Sequence, residues 1–506
     1  MASDHYSLAR ARRSLVHFGA GKVLSALCGL AALLLAVRVM QADQYGRFVA
    51  LLATLEIFYL LSGFGLSTAV QRYVADYRIR ASQRRFRRFV LSLLVWRFLS
   101  ALIGGLLAVF WMDSLFALLD MGPTDIGQLP FLLLLCVGAM LRFADELLPA
   151  LLLQGQAQLS LLLRNLVKGG IFLAAVLFGQ SMGVAEAVWI ELASAALALL
   201  IIAIALVRYL SLHHTEGDDQ FQPARMWSVS TRFYLVQILG QVYGTNSLKL
   251  LVMRILGPEA TGALGFAQSI VDMIRNYLPA HLLAGWVRPL MISRYVASRN
   301  IQEIAEISLM IFKLNLIGIV PLAAFFALVG DDAGALASGG KFRAAGSLFL
   351  WLLVLLVFQT AHILISLLTI TIERPAANLL ATFLACAGFP LAWMLAPHLG
   401  VTGVILSLVA AESIWVGVVS ASLHRGAIVR RLESRGMTTI LLVGVAVWGA
   451  GYLLPLPMNW PPLLDVVAIA AFVGVTFLAL LSAFKPLLPR EREMLGKFMP
   501  SWMLVW

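Results

Sequence analysis

Charge is scarce in this chain. Asp, Glu, Lys and Arg make up 13% of its 506 residues, against 61% hydrophobic. A soluble domain carries about 25% charged residues. This chain cannot coat a globule with charge, so the natural solvent for its surface is lipid. Cysteine is scarce too. Cys28, Cys136 and Cys386 each fall inside an apolar run. That excludes a disulfide framework and leaves them as small core residues. The spacings that carry chemistry are also missing. Gly19-Ala20-Gly21-Lys22 lacks the phosphate-loop spacing and opens an apolar run, so no ATPase module is expected. No His, Cys or Asp cluster stands at metal spacing and no G-x-S-x-G occurs, so neither metal nor cofactor is expected. His213-His214 lies in a polar stretch and reads as solvated. The longest outer connection, 113–128, offers Asp113, Asp120 and Asp125 but no base. These absences argue against an enzyme.

What is present is long apolar runs and an excess of basic residues, with a net charge of +12. In so apolar a chain, that excess points to cytoplasmic membrane flanks rather than to nucleic acid. A helix needs about 20 apolar residues to cross a bilayer. By that ruler the sequence predicts fourteen spans: 19–40, 46–72, 89–112, 129–150, 159–179, 184–207, 228–256, 263–293, 307–330, 346–372, 376–396, 401–423, 438–454 and 463–484. The first run is too long for a signal-peptide core and has no clear cleavage site, so it stays as the first span. With both termini cytoplasmic, one side receives Arg10, Arg12, Arg13, Arg72, Arg78, Arg80, Arg84, Arg85, Arg87 and Arg88. The same side receives Arg425, Arg430, Arg431, Arg435, Lys485, Arg490, Arg492 and Lys497. The short connections of the other side hold only Lys341 and Arg343, which satisfies the positive-inside rule.

The chain also echoes itself. Arg38-Val39-Met40 with Asp43 and Gly46 returns as Arg254-Ile255-Leu256 with Glu259 and Gly262, an offset of 216. Arg72-Tyr73-Val74-Ala75 returns letter for letter as Arg294-Tyr295-Val296-Ala297, an offset of 222. Two matches at nearly one offset imply an internal duplication. Six spans separate the copies, so the halves keep one orientation about an axis along the membrane normal. The expected fold is an all-α polytopic membrane protein of fourteen transmembrane helices. Two parallel six-helix lobes (1–210 and 228–427) flank a cytoplasmic linker (211–227). Residues 428–506 add two accessory helices and a cytoplasmic tail.

A charge near the bilayer centre costs about 2.5–3.5 kcal/mol on insertion scales, so such residues face a bundle interior or water. The deep charges are Glu56, Arg142, Lys168, Glu191, Lys249, Asp272, Arg275, Lys313 and Glu412, with His362 beside them and Lys22 nearer an end. Bland readings stand beside the functional one. Asp272 and Arg275, three apart, can simply pair, as can Arg142 with Asp145 and Glu146. Lys22, Arg164 and Lys313 can snorkel to the interface. Taken together, Lys22, Arg142, Lys168, Lys249, Arg275 and Lys313 outnumber the acids. They predict a hydrated, cationic cavity for an anionic ligand, with arginine suited to phosphate by forked hydrogen bonds. Glu56, Asp272 and Glu412 are candidate ion-coupling carboxylates. Gly63, Gly65, Pro279, Pro289 and Pro321 are either hinges or static kinks.

Leu35-Ala36-Val37-Arg38-Val39-Met40, Gln44-Tyr45-Gly46, Gly63-Phe64-Gly65-Leu66-Ser67-Thr68-Ala69 and Arg72-Tyr73 resemble the start of the polysaccharide-export flippases of the multidrug/oligosaccharidyl-lipid/polysaccharide exporter superfamily. The Tyr-Gly and the Gly-Leu-Ser-Thr-Ala are the specific part, and the likeness covers about the first 75 residues. The resemblance implies a flippase of the bacterial inner membrane. It would carry undecaprenyl-diphosphate-linked O-antigen or exopolysaccharide repeat units to the outer leaflet by alternating access. It also implies membrane lipids as surroundings, a polysaccharide polymerase and export machinery as partners, and a monomer driven by a proton or sodium gradient or the membrane potential. The related lipid II flippases carry an Arg-Asp pair in the first helix. Here that region is the uncharged Cys28-Gly29-Leu30, which argues against lipid II as cargo. A multidrug cation antiporter of the same superfamily and a non-transporting scaffold of a polysaccharide synthase complex remain the alternatives, beside a lipid II flippase. The first would have an acid-dominated cavity, and the second would need no buried charge in both lobes.

Overall fold

The computed structural model describes residues 8–74, 77–78, 81–121, 126–151, 153–212, 223–281, 300–371, 375–425, 434–453 and 461–496. The echo at Arg294–Ala297, Pro289, His213-His214 and most of the linker lie outside the described residues. Helices dominate, and the β structure among the described residues is one isolated bridge between Met40 and Met182. Among the described residues, eleven helical stretches are long and apolar enough to cross a membrane. Two of them, Tyr234–Arg275 and Ala377–His424, contain glycine kinks at Gly257 and Gly400, so eleven is a minimum. Many large apolar side chains lie on the outside, including Phe110, which is 83% exposed. Lipid covers such a surface and water does not. The chain is a multi-pass membrane protein.

The chain clusters into two compact units, Met1–Gly262 and Ala263–Trp506. In the first, α1 (Leu8–Val39) packs on α5 (Gln154–Leu177), and α3 (Gln83–Phe110) packs on α4 (Gln128–Ala150). α6 (Val184–Leu212) lies against both α4 and α5, and α2 (Ala42–Leu61) touches α4 and α6. α7 (Pro223–Val242) closes over α2. In the second unit, α9 (Ile301–Ser338) is the central post. α10 (Ala345–Thr371), α13 (Arg435–Leu453) and α14 (Pro462–Phe484) all pack on it. α12 (Gly388–Arg425) packs on α10 and on α11 (Pro375–Ala385). α8 (Thr245–Arg275) runs across the division between the units, and α15 (Pro489–Gly496) closes the described chain.

Local chemistry sets several ends. Asn300 caps α9, its side chain accepting from the backbone N–H of Gln302 and Glu303. Gly339 ends the same helix in the left-handed conformation, at φ 66°. Pro462 opens α14, where a missing N–H costs nothing.

The second expected span is not one helix. α2 stops at Leu61, because Ser62-Gly63-Phe64-Gly65 forms a turn with φ 44° at Phe64 and 75° at Gly65. A four-residue helical turn (Leu66–Ala69) and a π-helical turn (Val70–Val74) follow. The seventh span is likewise broken at Tyr243-Gly244, and Pro279 follows a break over residues 276–278. Pro321 sits inside α9 without a break, whereas Val329 leaves helical geometry at φ −134°. Two motif glycines acquire a reason. A Cβ on Gly46 would overlap the Pro258 carbonyl at the kink of α8, and one on Gly65 would press on the Ser230 carbonyl. Only glycine permits such close backbone approach.

Candidate functional site: an intramembrane charge cluster

Helical spacing assembles the cluster in the first unit. Glu56 and Tyr59 lie three apart on α2. Arg142, Asp145 and Glu146 share one face of α4. Arg164 and Lys168 lie four apart on α5. Arg97 arrives from α3 and Glu191 from α6. Glu191 is the hub. One carboxylate oxygen accepts from Arg164 and the other from Lys168, and its side chain is 10% exposed. Arg142 faces Glu56 at 3.6 Å, in a more open position. Tyr59 donates to the Leu134 carbonyl at 3.2 Å, and Gly138 leaves the room its hydroxyl needs.

Two cavities flank the Glu56–Arg142 pair. One of about 180 Å³ is lined by Glu56, Tyr59, Arg97, Arg142, Glu146 and Gln237 among others. The other, of about 230 Å³, adds Asp145, Arg164, Lys168 and Glu191. At about 30 Å³ per water, these volumes suit small polar guests rather than an oligosaccharide. The bases Arg97, Arg142, Arg164 and Lys168 stand against the acids Glu56, Asp145, Glu146 and Glu191. This cluster is balanced in formal charge, where the sequence predicts an excess of bases. A phosphate meets the same donors that these carboxylates now satisfy, because both accept forked bonds from guanidinium.

The remaining predicted residues separate. Lys22 on α1 and Lys249 on α8 are half-buried and line neither cavity. Arg275 pairs with Asp272 at 3.1 Å, each about one-third exposed. Glu412 on α12 is 2.7 Å from His362 on α10. Lys313 lines neither cavity. Its ammonium is 1% exposed and is held by both carboxylate oxygens of Glu491 on α15, at 2.8 and 3.1 Å. A lysine locked in that way ties down a helix and has no face for a ligand.

Sequence reasoning missed Arg97 altogether. It is 3% exposed and donates to the Tyr59 and Ala139 carbonyls and to the Ser62 hydroxyl, at 2.9, 3.2 and 3.2 Å. Tyr59 and Ser62 lie at the end of α2, where helical carbonyls lose their partners. A lone arginine well inside an apolar run was the available signal. Glu191 and Lys168 stand out in the sequence as deep charges and Arg164 reads only as a snorkelling residue, whereas the fold brings all three together.

The sequence profile of the polysaccharide biosynthesis protein family matches residues 12–287. No curated protein matches the chain. Among solved structures, the fold is similar to the lipid II flippase MurJ in an inward closed conformation, with a TM-score of 0.70 at 12% identity. That match covers 93% of this chain and 98% of the other. An inward-facing multidrug resistance MATE family transporter matches at TM-score 0.56 and 16% identity, over 85% of this chain and 96% of its own. A MOP superfamily transporter from Pyrococcus furiosus, described as having reversed polarity in its binding pocket, matches at 0.54 and 16%, over 85% and 94%. At these identities the likeness establishes the fold, which this chain shares with those flippase and transporter structures.

Proposed function

Because the chain belongs to the polysaccharide biosynthesis protein family, we propose that it flips lipid-linked oligosaccharide repeat units across the bacterial inner membrane. The cargo class is an undecaprenyl-diphosphate-linked glycan destined for surface or exopolysaccharide. The carrying observation, beside family membership, is a set of forked and point-charge cations held inside the membrane by carboxylates that a diphosphate can replace. Arg142 and Lys168 are the first candidates for that exchange. Lys22, Lys249 and Arg275 supply further positive charge as the lobes 1–210 and 228–427 alternate between faces. Glu56, Asp272 and Glu412 are the carboxylates through which a proton or sodium gradient would act. Both termini are assigned to the cytoplasm by the basic flanks, and the polymerase and export machinery are the natural partners of a monomer.

The test is genetic and chemical. Deletion should abolish surface glycan and leave its lipid-linked precursor on the cytoplasmic leaflet. Arg142→Glu should fail to restore display, because reversal turns a phosphate donor into a repeller. Full restoration by Arg142→Glu would end the cation-exchange mechanism. A deletion that leaves surface glycan intact but sensitises cells to cationic dyes would favour a drug exporter.

A further inference from the structure

The second unit pairs Glu412, one of the coupling carboxylates of the flippase reading on which this inference rests, with His362. His362 lies in the middle of α10, and Glu412 lies midway along the part of α12 that follows the Gly400 kink. His362 Nδ1 and a Glu412 carboxylate oxygen are 2.7 Å apart. That falls in the range of a charge-assisted N–H···O bond, about 2.7–2.9 Å. The imidazole lies flat on the Trp415 indole, with centroids 3.5 Å apart and an interplanar angle of 9°. The Trp415 indole N–H donates to the Thr382 hydroxyl at 3.2 Å, and that hydroxyl donates to the Asn378 carbonyl. The Asn378 amide donates in turn to the Thr369 hydroxyl on α10 at 2.9 Å. The network ties α10, α11 and α12 into a ring around the pair.

We propose that His362 and Glu412 form a proton-binding site that links the transport cycle to the proton gradient. The pair carries one negative charge with a neutral imidazole and none with an imidazolium. In a membrane interior that difference is large, because an isolated buried carboxylate is costly. The indole face adds to it, since an aromatic face attracts a cation and not a neutral ring. Glu412 is 10% exposed and His362 is 27% exposed, so the carboxylate is enclosed while the imidazole keeps an open edge for proton entry. The other ionisable groups on the packed helices are engaged elsewhere or stand near helix ends or kinks. On α9, Lys313 is held by Glu491, Glu306 by Arg490 and Asp332 by Arg343. Glu303 is in the first turn of α9, and Asp331 follows its distortion at Val329. α11 carries no ionisable group, and Cys386 beyond it donates to the Thr382 carbonyl. On α12, His398 precedes the kink, and His424 lies by the Ser420 carbonyl in the last turns. The imidazole beside the carboxylate is the reason for naming the proton, because an imidazole binds a proton at its free nitrogen.

The site is testable without knowing the cargo. An imidazolium stacked on an indole quenches its fluorescence, so the full-length protein in nanodiscs is titrated from about pH 5 to 8 while tryptophan emission is read. A step in the wild type that is absent from both His362→Gln and Trp415→Phe supports the site. A step of unchanged amplitude in either variant, or no step in the wild type, overturns it. In cells, His362→Gln and Glu412→Gln should each reduce surface glycan at least tenfold with protein levels unchanged. Wild-type display in both would overturn the link to transport. A failed titration leaves the flippase reading intact, whereas intact glycan after deletion of the whole chain defeats that reading and leaves the titration standing.

Discussion

Glu491→Gln should release α15 from the second unit. The substitution keeps the shape of the side chain and removes its charge, leaving the Lys313 ammonium, 1% exposed, without a counter-charge. Breaking a buried pair from one side costs about 3–5 kcal/mol. The rest of the docking surface is small. Leu487 and Leu495, 3% and 6% exposed, bury against Met310. They contribute about 1.5–3 kcal/mol each. The exposed Arg490–Glu306 pair at 3.3 Å adds less than about 1 kcal/mol. The lost interaction is thus as large as the leucine burial, and the population of the undocked helix should rise roughly 200- to 5,000-fold. Trypsin reads this directly, because Lys485, Arg490 and Arg492 lie on or beside α15. Cleavage of purified Glu491→Gln should accelerate by that factor in the limit of fast opening. The double variant Lys313→Met/Glu491→Leu should return close to the wild-type rate, since apolar replacement of a whole buried pair is often neutral. A single variant cut within threefold of wild type would refute the reasoning, as would a double variant no slower than the single.

Arg97→Met should lower stability by about 3 kcal/mol, because it strips charged donors from carbonyls and a hydroxyl inside the membrane; thermal unfolding in nanodiscs checks this, and Arg97→Lys should recover part of the loss. Gly46→Ala should cost about 1–3 kcal/mol, because the added Cβ overlaps the Pro258 carbonyl, and the same assay would show it as lost folded yield. Lys485→Gly should stabilise by about 0.5–1 kcal/mol or leave stability unchanged, since Lys485 ends α14 at φ 47°, where glycine is the unstrained residue. A measurable loss in that variant would show that the lysine side chain outweighs the backbone strain.

Much of the architecture is legible without coordinates. The apolar runs require membrane helices, and the Tyr45-Gly46 and Gly65 motifs mark places where another backbone comes close. The helix breaks are harder to see. Gly63 and Gly65 flag the break after α2, but Tyr243-Gly244 and Cys386-Ala387 interrupt apolar runs with little warning, because breaking a helix takes only a couple of residues that leave helical geometry. The charge cluster is half legible. Glu56, Arg142, Lys168 and Glu191 are conspicuous by depth, while Arg97 hides between Trp96 and Phe98 and emerges only as a clamp on the end of α2.

Hydropathy and charge placement by themselves determined that this chain lives in a bilayer as a bundle of helices, because insertion energies act on each segment separately and are written in its own residues. Which charge meets which was decided by tertiary structure alone. Lys313 finds Glu491 across 178 positions and Arg164 finds Glu191 across 27. Those partnerships turn an apparent excess of bases into a balanced cluster and a locked helix. An ion pair depends on distance and enclosure, and neither is a property of one segment.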